Sequence, residues 1–174
     1  MRYFLAGLAA VLWLGGCGFT PVYGTNSDLN IEVSTYLSAI HLSQNSGALG
    51  QQLENALEDR LNPDSSPSLY EKSFRLEFSV ATKRDAVVIE QDGSIARYNI
   101  MLNSPYRLKD AQTGEVLSKG TLRRTASFYN APEKFAGYIA EKDAVDRALI
   151  ELSEDYKLRL IAYFAKHYKQ GARK

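Results

Sequence analysis

The period of the apolar residues changes along this chain, and this change constrains the fold more than any other feature of the sequence. Between residues 73 and 129, apolar and polar side chains alternate in three stretches, as in strands with one buried face. In the flanking segments 49–61 and 132–166, apolar residues recur at steps of three and four, as along one side of a helix. Strands and helices that each have one apolar side must bury those sides against one another.

The connections between the three alternating stretches are short and predict an antiparallel meander. Asp92 and Gly93 form a hairpin turn signal, and residues 111–116 are typical of a second hairpin connection. Pro105 interrupts the middle stretch. Because proline lacks an amide donor, it predicts a bulge or an edge position at that point.

One more strand is predicted ahead of the first helix. Residues 29–36 alternate, and the pattern extends through Ile40 and Leu42. The predicted fold class is therefore α+β: a two-layer sandwich of about four mostly antiparallel strands, with two helices packed on one face.

The first 16 residues have the parts of a secretory signal peptide. Arg2 is followed by an uncharged apolar run, 3–16, which is too short to span a membrane as a helix. No Ala-x-Ala-like site precedes Cys17, the only cysteine of the chain. Instead, the tetrad LGGC at 14–17 resembles the lipobox of bacterial lipoproteins.

The lipobox resemblance implies a lipid-anchored protein. Leu14, Gly15 and Gly16 would be recognised by the signal peptidase, and Cys17 would carry S-linked diacylglycerol and an N-acyl chain. Removal of 16 of the 174 residues would leave 158, with Arg2 lost and the remaining charges balanced. The predicted organisation is a signal peptide at 1–16, a tether at 17–30, a single α+β domain at 31–166 and a basic tail at 167–174. A neutral chain does not favour nucleic acid as a partner.

The sequence contains no recognisable catalytic constellation. His41 and His167 have no neighbours at metal-ligand spacing, and no nucleophile elbow, phosphate-binding loop or dinucleotide fingerprint is present. The protein is predicted not to be an enzyme and to need no cofactor or metal beyond its covalent lipid. What remains is positive charge on the predicted strands, and Arg and Lys are the natural partners of phosphates.

The segment CGFTPVYG resembles the mature amino terminus of LptE, the lipopolysaccharide (LPS) assembly lipoprotein family. Cys17, Gly18, Phe19, Pro21 and the Tyr-Gly pair at 23–24 carry the match, and the order of elements agrees. Weaker likenesses at GQQLENALEDRL, TGEVLSKG and AEKDAVDRAL extend it over nearly the whole mature chain.

That resemblance implies a protein anchored to the periplasmic face of the outer membrane, and Gly18 after the lipidated cysteine favours this membrane. It implies a protein that plugs and helps assemble the large β-barrel LPS translocon, which is LptD-like, and assists LPS insertion into the outer leaflet. If LPS is bound, its phosphates would contact cations on strands or turns. The candidates are Lys83, Arg84, Arg97, Arg123 and Arg124.

Two other functions stay open on the sequence alone. One is a free-standing periplasmic lipoprotein that binds lipid or protein without a barrel partner, and the other is a lipid-anchored enzyme. A dedicated barrel partner, a binding patch without such a partner, or a cluster of titratable groups in a cleft would distinguish the three.

Overall fold

The structure is a computed structural model that describes residues 27–63, 73–91 and 93–171, with the side chains of 33–63, 73–91 and 93–167. It has an α+β fold, as predicted. The elements in chain order are α1 (Ser27–Ser38), β1 (Ile40–Leu42), α2 (Ala48–Leu61), β2 (Phe74–Phe78), β3 (Ala81–Ile89), β4 (Ile95–Asp110), β5 (Val116–Tyr129) and α3 (Lys134–Gly171).

The central strand of the sheet is β4, and the predicted meander is confirmed. β5 pairs antiparallel with β4 along almost its whole length, from Arg97–Tyr129 to Lys109–Val116. The other edge of β4 is shared by β2 and β3, which also run antiparallel to it. The short β1 pairs parallel with β2. The sheet therefore contains five strands but is four strands wide.

Pro105 lies in this central strand, so the prediction of an edge position was wrong. The bulge was also wrong, because β2 and β3 keep one register against β4 on both sides of the proline. Instead, the ladder is interrupted: the Ser79 amide donates to the Pro105 carbonyl at 3.2 Å, but proline has no amide to return. The Ser104 hydroxyl donates to the Ser79 carbonyl at 2.6 Å in its place. The Tyr156 hydroxyl lies 2.7 Å from the same serine oxygen.

The core lies between one face of the sheet, called here the inner face, and the helices. Alternate residues of β4 from Ile100 to Leu108 are buried on this face, and α3 packs across β5 and β4. Tyr156 of α3 is fully buried and makes edge-on contacts with the rings of Phe78 and Tyr106, 6.1 and 5.5 Å away. The leucine stripe of α2 is buried as predicted, at Leu53, Leu57 and Leu61.

The predicted strand at 29–36 was wrong, because this segment belongs to helix α1. Val33 and Leu37, one helical turn apart, are both buried in the core. The ring of Tyr36 stacks on that of Phe164 of α3, with 5.4 Å between the ring centres. The carboxyl-terminal part of α3 therefore supplies a surface against which this segment packs as a helix. Only 40–42, the extension of the predicted strand, is a strand.

The ends of the predicted domain shift as well. α1 begins at Ser27, inside the predicted tether 17–30, and α3 continues to Gly171, beyond the predicted domain end at 166. The predicted lipidation and cleavage residues, 14–17, lie outside the described residues.

Candidate functional site

The five cations predicted to contact phosphate are divided between the two faces of the sheet. Strand alternation places Lys83, Arg97 and Arg123 on the outer face, away from the helices. Arg84 and Arg124 are on the inner face, where each contacts a carboxylate of α3. The predicted set is therefore not one site.

Arg124 is a bridge between the sheet and α3. Its Nε and Nη2 donate to the two carboxylate oxygens of Asp155, both at 2.6 Å, and its Nη1 lies 3.8 Å from Glu151. The hydrogen bonds with Asp155 raise the pKa of the Arg124 guanidinium, which stays charged. This paired geometry satisfies Arg124 within the fold, so it is poorly placed to receive a phosphate.

Arg84 lies beside a cavity of about 420 Å³ between β3, β4 and the start of α3. Its Nη1 is 3.0 Å from Glu141, and its guanidinium lies 4.9 Å from the centre of the Tyr98 ring. Lys134 and Tyr138 of α3 line the same cavity. The cavity thus combines two cations with aromatic walls.

The three outer-face candidates have different surroundings. Lys83 pairs with Asp85 at 3.0 Å, and Arg123 donates to the Asn103 side chain at 2.9 Å. The Arg97 guanidinium lies 5.5 Å from the centre of the Tyr129 ring, and its buried Nε finds no acceptor among the described residues. Arg97 is therefore the one of these three with a buried donor that lacks a partner among the described residues.

Large apolar side chains are exposed together where the β3–β4 hairpin, the end of β5 and the start of α3 meet. Ile89 is 66% exposed, Tyr129 is 71% exposed and Phe135 is 76% exposed. This surface, called here the apolar end, consists of Val87, Val88, Ile89, Tyr129, Phe135, Tyr138 and Ile139. Large exposed apolar side chains concentrated at one end of a sheet are typical of an interaction site rather than of an inert surface.

The sequence interpretation missed the apolar end, although the chain carries a signal for it. Val87, Val88 and Ile89 are three consecutive apolar residues just before a turn, and they break the alternation of a strand with one buried face. Phe135 and Ile139 precede the core stripe of α3, whose first fully buried residue is Ala144. Apolar residues that do not fit the local period were the available clue.

The described residues offer little for catalysis. Within 27–63, 73–91 and 93–171, no group of three His, Cys, Asp or Glu side chains could hold a metal ion. His41 is exposed on β1, and exposed His167 lies against the ring of Tyr163, 4.3 Å between centroids. No helix in the described part of the chain is long and apolar enough to cross a membrane.

The fold defines a class of two-layer α+β domains that recurs among solved bacterial lipoproteins. A protein described as a lipoprotein, from Caulobacter crescentus CB15, is 26% identical with a TM-score of 0.64, covering 78% of this chain and 97% of that one. Rare lipoprotein B from Shewanella oneidensis is 13% identical with a TM-score of 0.58, covering 75% and 96%. A minor lipoprotein from Acinetobacter baumannii is 16% identical with a TM-score of 0.54, covering 71% and 88%.

The sequence profile of the LptE family, described as lipopolysaccharide-assembly, matches residues 36–160. The chain therefore belongs to the LptE family, and the resemblance predicted from its sequence is confirmed. No curated protein matches the chain in sequence.

Proposed function

We propose that the protein is an outer-membrane lipoprotein that plugs and helps assemble the β-barrel LPS translocon, which is LptD-like, and that it assists LPS insertion into the outer leaflet. The observation that carries this proposal is the match of the LPS-assembly family to residues 36–160. The fold agrees with such a role, because a plug needs a rigid core and a polar outside, and large barrels have polar lumens.

The anchor in this proposal is the lipid on Cys17. The lipobox-like tetrad supports it, and so does the similarity of the fold to rare lipoprotein B. Mass spectrometry of the amino-terminal peptide from outer membranes should show an acylated Cys17. The Cys17→Ser variant should lose the added mass and leave the membrane fraction, since the anchor supplies most of the membrane affinity.

The plug is tested by purification in mild detergent from outer membranes through a tag after Lys174. A β-barrel protein should co-purify in a stable one-to-one ratio. Recovery of the lipidated chain alone would contradict the plug and favour a free-standing lipoprotein that binds lipid or protein.

We place LPS binding at the apolar end and the cavity beside it. LPS combines acyl chains with phosphates, and this region combines exposed apolar side chains with Lys134 and with Arg84, whose guanidinium is paired with Glu141. A purely apolar ligand would not need the cations, and a free phosphate would not need the apolar surface. The combination is the chemistry that recognises a phosphorylated amphiphile.

Substitution at the apolar end tests the LPS site. Phe135→Ser with Tyr138→Ser should weaken binding of purified LPS roughly tenfold, since each change removes a large apolar contact. Ile150→Ser with Leu158→Ser is the matched control, because both are large apolar residues exposed on α3, at 49% each, but lie outside the apolar end. Equal losses in the two double variants would show that LPS does not select this surface.

A further inference from the structure

A second cluster of charge lies on the outer face of the sheet, toward the β4–β5 turn and away from the apolar end. It consists of Arg75, Arg107, Lys109 and Lys119, and is called here the basic cluster. Exposed His41 extends it onto β1, opposite Arg75. None of these side chains except Lys109 is in an ion pair among the described residues.

The register of the strands brings like charges directly opposite one another in this cluster. Arg75 faces Lys109 across β2 and β4, and Arg107 faces Lys119 across β4 and β5. Like charges opposite each other weaken a sheet. The one carboxylate that the strands place among them is Glu77, which faces Arg107 across β2 and β4 and whose Oε1 is 2.7 Å from the Lys109 ammonium.

Other parts of the same face do not show this conflict. Near the middle of the sheet, Lys83 is paired with Asp85 on its own strand. Across β4 and β5, Asn99 lies opposite Ser127, and their side chains are hydrogen-bonded at 2.6 Å. The concentration of four cations around a single carboxylate in one region is not explained by folding. Sequences break local rules of this kind mainly where function requires it.

The shape of the cluster indicates a flat partner. Its side chains stand on three neighbouring strands about 4.8 Å apart, and successive outward residues on one strand are roughly 7 Å apart. The inner wall of a β-barrel presents its side chains on the same lattice, and two stacked sheets lie about 10 Å apart. Lys and Arg side chains can span that gap to carboxylates on the facing wall. In contrast to the apolar end, the cluster has few exposed apolar side chains, which favours a polar protein wall over a lipid surface.

We propose that the basic cluster is the surface through which this protein docks against carboxylates on the lumen wall of its β-barrel partner. The inference rests on the proposed function and assigns the outer face of the sheet to the barrel wall. The apolar end remains free for LPS at the opposite end of the same sheet.

The test uses a double variant, Arg75→Glu with Lys119→Glu. Each substitution turns a like-charge cross-strand pair into an opposite-charge pair, so the variant should unfold at the same or a higher temperature than the wild type. The amount of barrel that co-purifies from outer membranes should nevertheless fall roughly tenfold or more, because carboxylates would now face carboxylates. If these residues served only the fold, the variant would not combine unchanged or higher thermal stability with lower recovery of the barrel.

The matched control is Arg159→Glu with Lys166→Glu, which makes the same charge change at exposed positions of α3 that are in no ion pair among the described residues. Its barrel recovery should equal that of the wild type. If the glutamate variant folds poorly, Arg75→Gln with Lys119→Gln should reduce recovery in the same direction, by less.

The outcomes separate the two proposals. If wild-type protein recovers no barrel, the proposed function fails, and this inference fails with it. If wild type and the glutamate variant recover equal barrel, the docking surface is overturned while the proposed function stands. If the two proteins recover equal barrel but the glutamate variant no longer binds vesicles containing phosphatidylglycerol, the basic cluster is assigned to lipid phosphates instead.

Discussion

The break in the ladder at Pro105 leads to a prediction about the Ser104→Ala variant. Fully buried Ser104 donates to the Ser79 carbonyl at 2.6 Å and accepts from the hydroxyl of fully buried Tyr156 at 2.7 Å. The substitution leaves the tyrosine hydroxyl buried without a partner, at a cost of about 1–3 kcal/mol. Loss of the bond to Ser79 adds about 0.5–1.5 kcal/mol. The free energy of unfolding should fall by roughly 2–4 kcal/mol.

The assay is urea denaturation followed by circular dichroism, with thermal unfolding as a second measurement. For a domain of this size the melting temperature should fall by about 2–4 °C per kcal/mol. Tyr156→Phe is the matched control, because it removes the tyrosine hydroxyl and leaves the bond between Ser104 and Ser79 in place. It should lower the free energy of unfolding by only about 0.5–1.5 kcal/mol.

A double-mutant cycle with Pro105→Ala tests the cause. Alanine restores the amide that can donate to the Ser79 carbonyl, so Ser104→Ala should then cost about 1 kcal/mol less than it does beside proline. An equal cost in both backgrounds would refute the argument that the Ser104 hydroxyl replaces the missing amide. A cost below about 0.5 kcal/mol in the wild-type background would refute the importance of the buried tyrosine bond.

Two further predictions concern charge and pH. Arg124→Ala should lower the free energy of unfolding by about 1 kcal/mol, because it breaks the bridge to α3; this value is discounted for the partial exposure of the pair. Arg123 faces outward, so Arg123→Ala should change the free energy of unfolding by less than about 0.5 kcal/mol in the same urea assay. A loss for Arg123→Ala as large as that for Arg124→Ala would contradict the assignment of these neighbours to opposite faces. Burial raises the pKa of Tyr156 well above its usual value. The pKa of Tyr156 is therefore higher in the folded state than in the unfolded state. As a result, the free energy of unfolding keeps the full contribution of this hydroxyl below about pH 10 and loses it as the pH rises further. Urea midpoints should therefore fall above about pH 10, less steeply in Tyr156→Phe than in the wild type; identical slopes would show that this hydroxyl is not the cause.

The comparison between sequence and structure is most favourable where the pattern is local. β5 spans Val116–Tyr129, the bounds predicted from its alternation, and α2 buries the predicted leucine stripe. The hairpin turns were also predictable, because Gly93 and Gly114 both adopt positive φ, a conformation that glycine enters without the steric cost of a side chain. Local backbone preferences and apolar periods are properties of short segments, so a single sequence suffices to read them.

The candidate site was less predictable, and the reason is the register. Lys83, Arg84, Arg97, Arg123 and Arg124 were chosen for their charge, but the structure separates them between a polar face and contacts with helix carboxylates. The like-charge pairs of the basic cluster join residues from different strands, so no segment of the chain displays them. The apolar end likewise gathers a hairpin, a strand end and the start of a helix.

The sequence by itself determined the bounds of β5, the buried leucine side of α2, the fold class and the family. The tertiary structure decided whether residues 29–36 would be a helix, how Pro105 could occupy a central strand, and which cations would remain available to a partner. Each of these outcomes depends on a distant contact: Tyr36 with Phe164, Ser104 with Tyr156, and Arg124 with Asp155. The free energy of such contacts is gained only after the chain has closed on itself, and residues close in sequence carry no record of it.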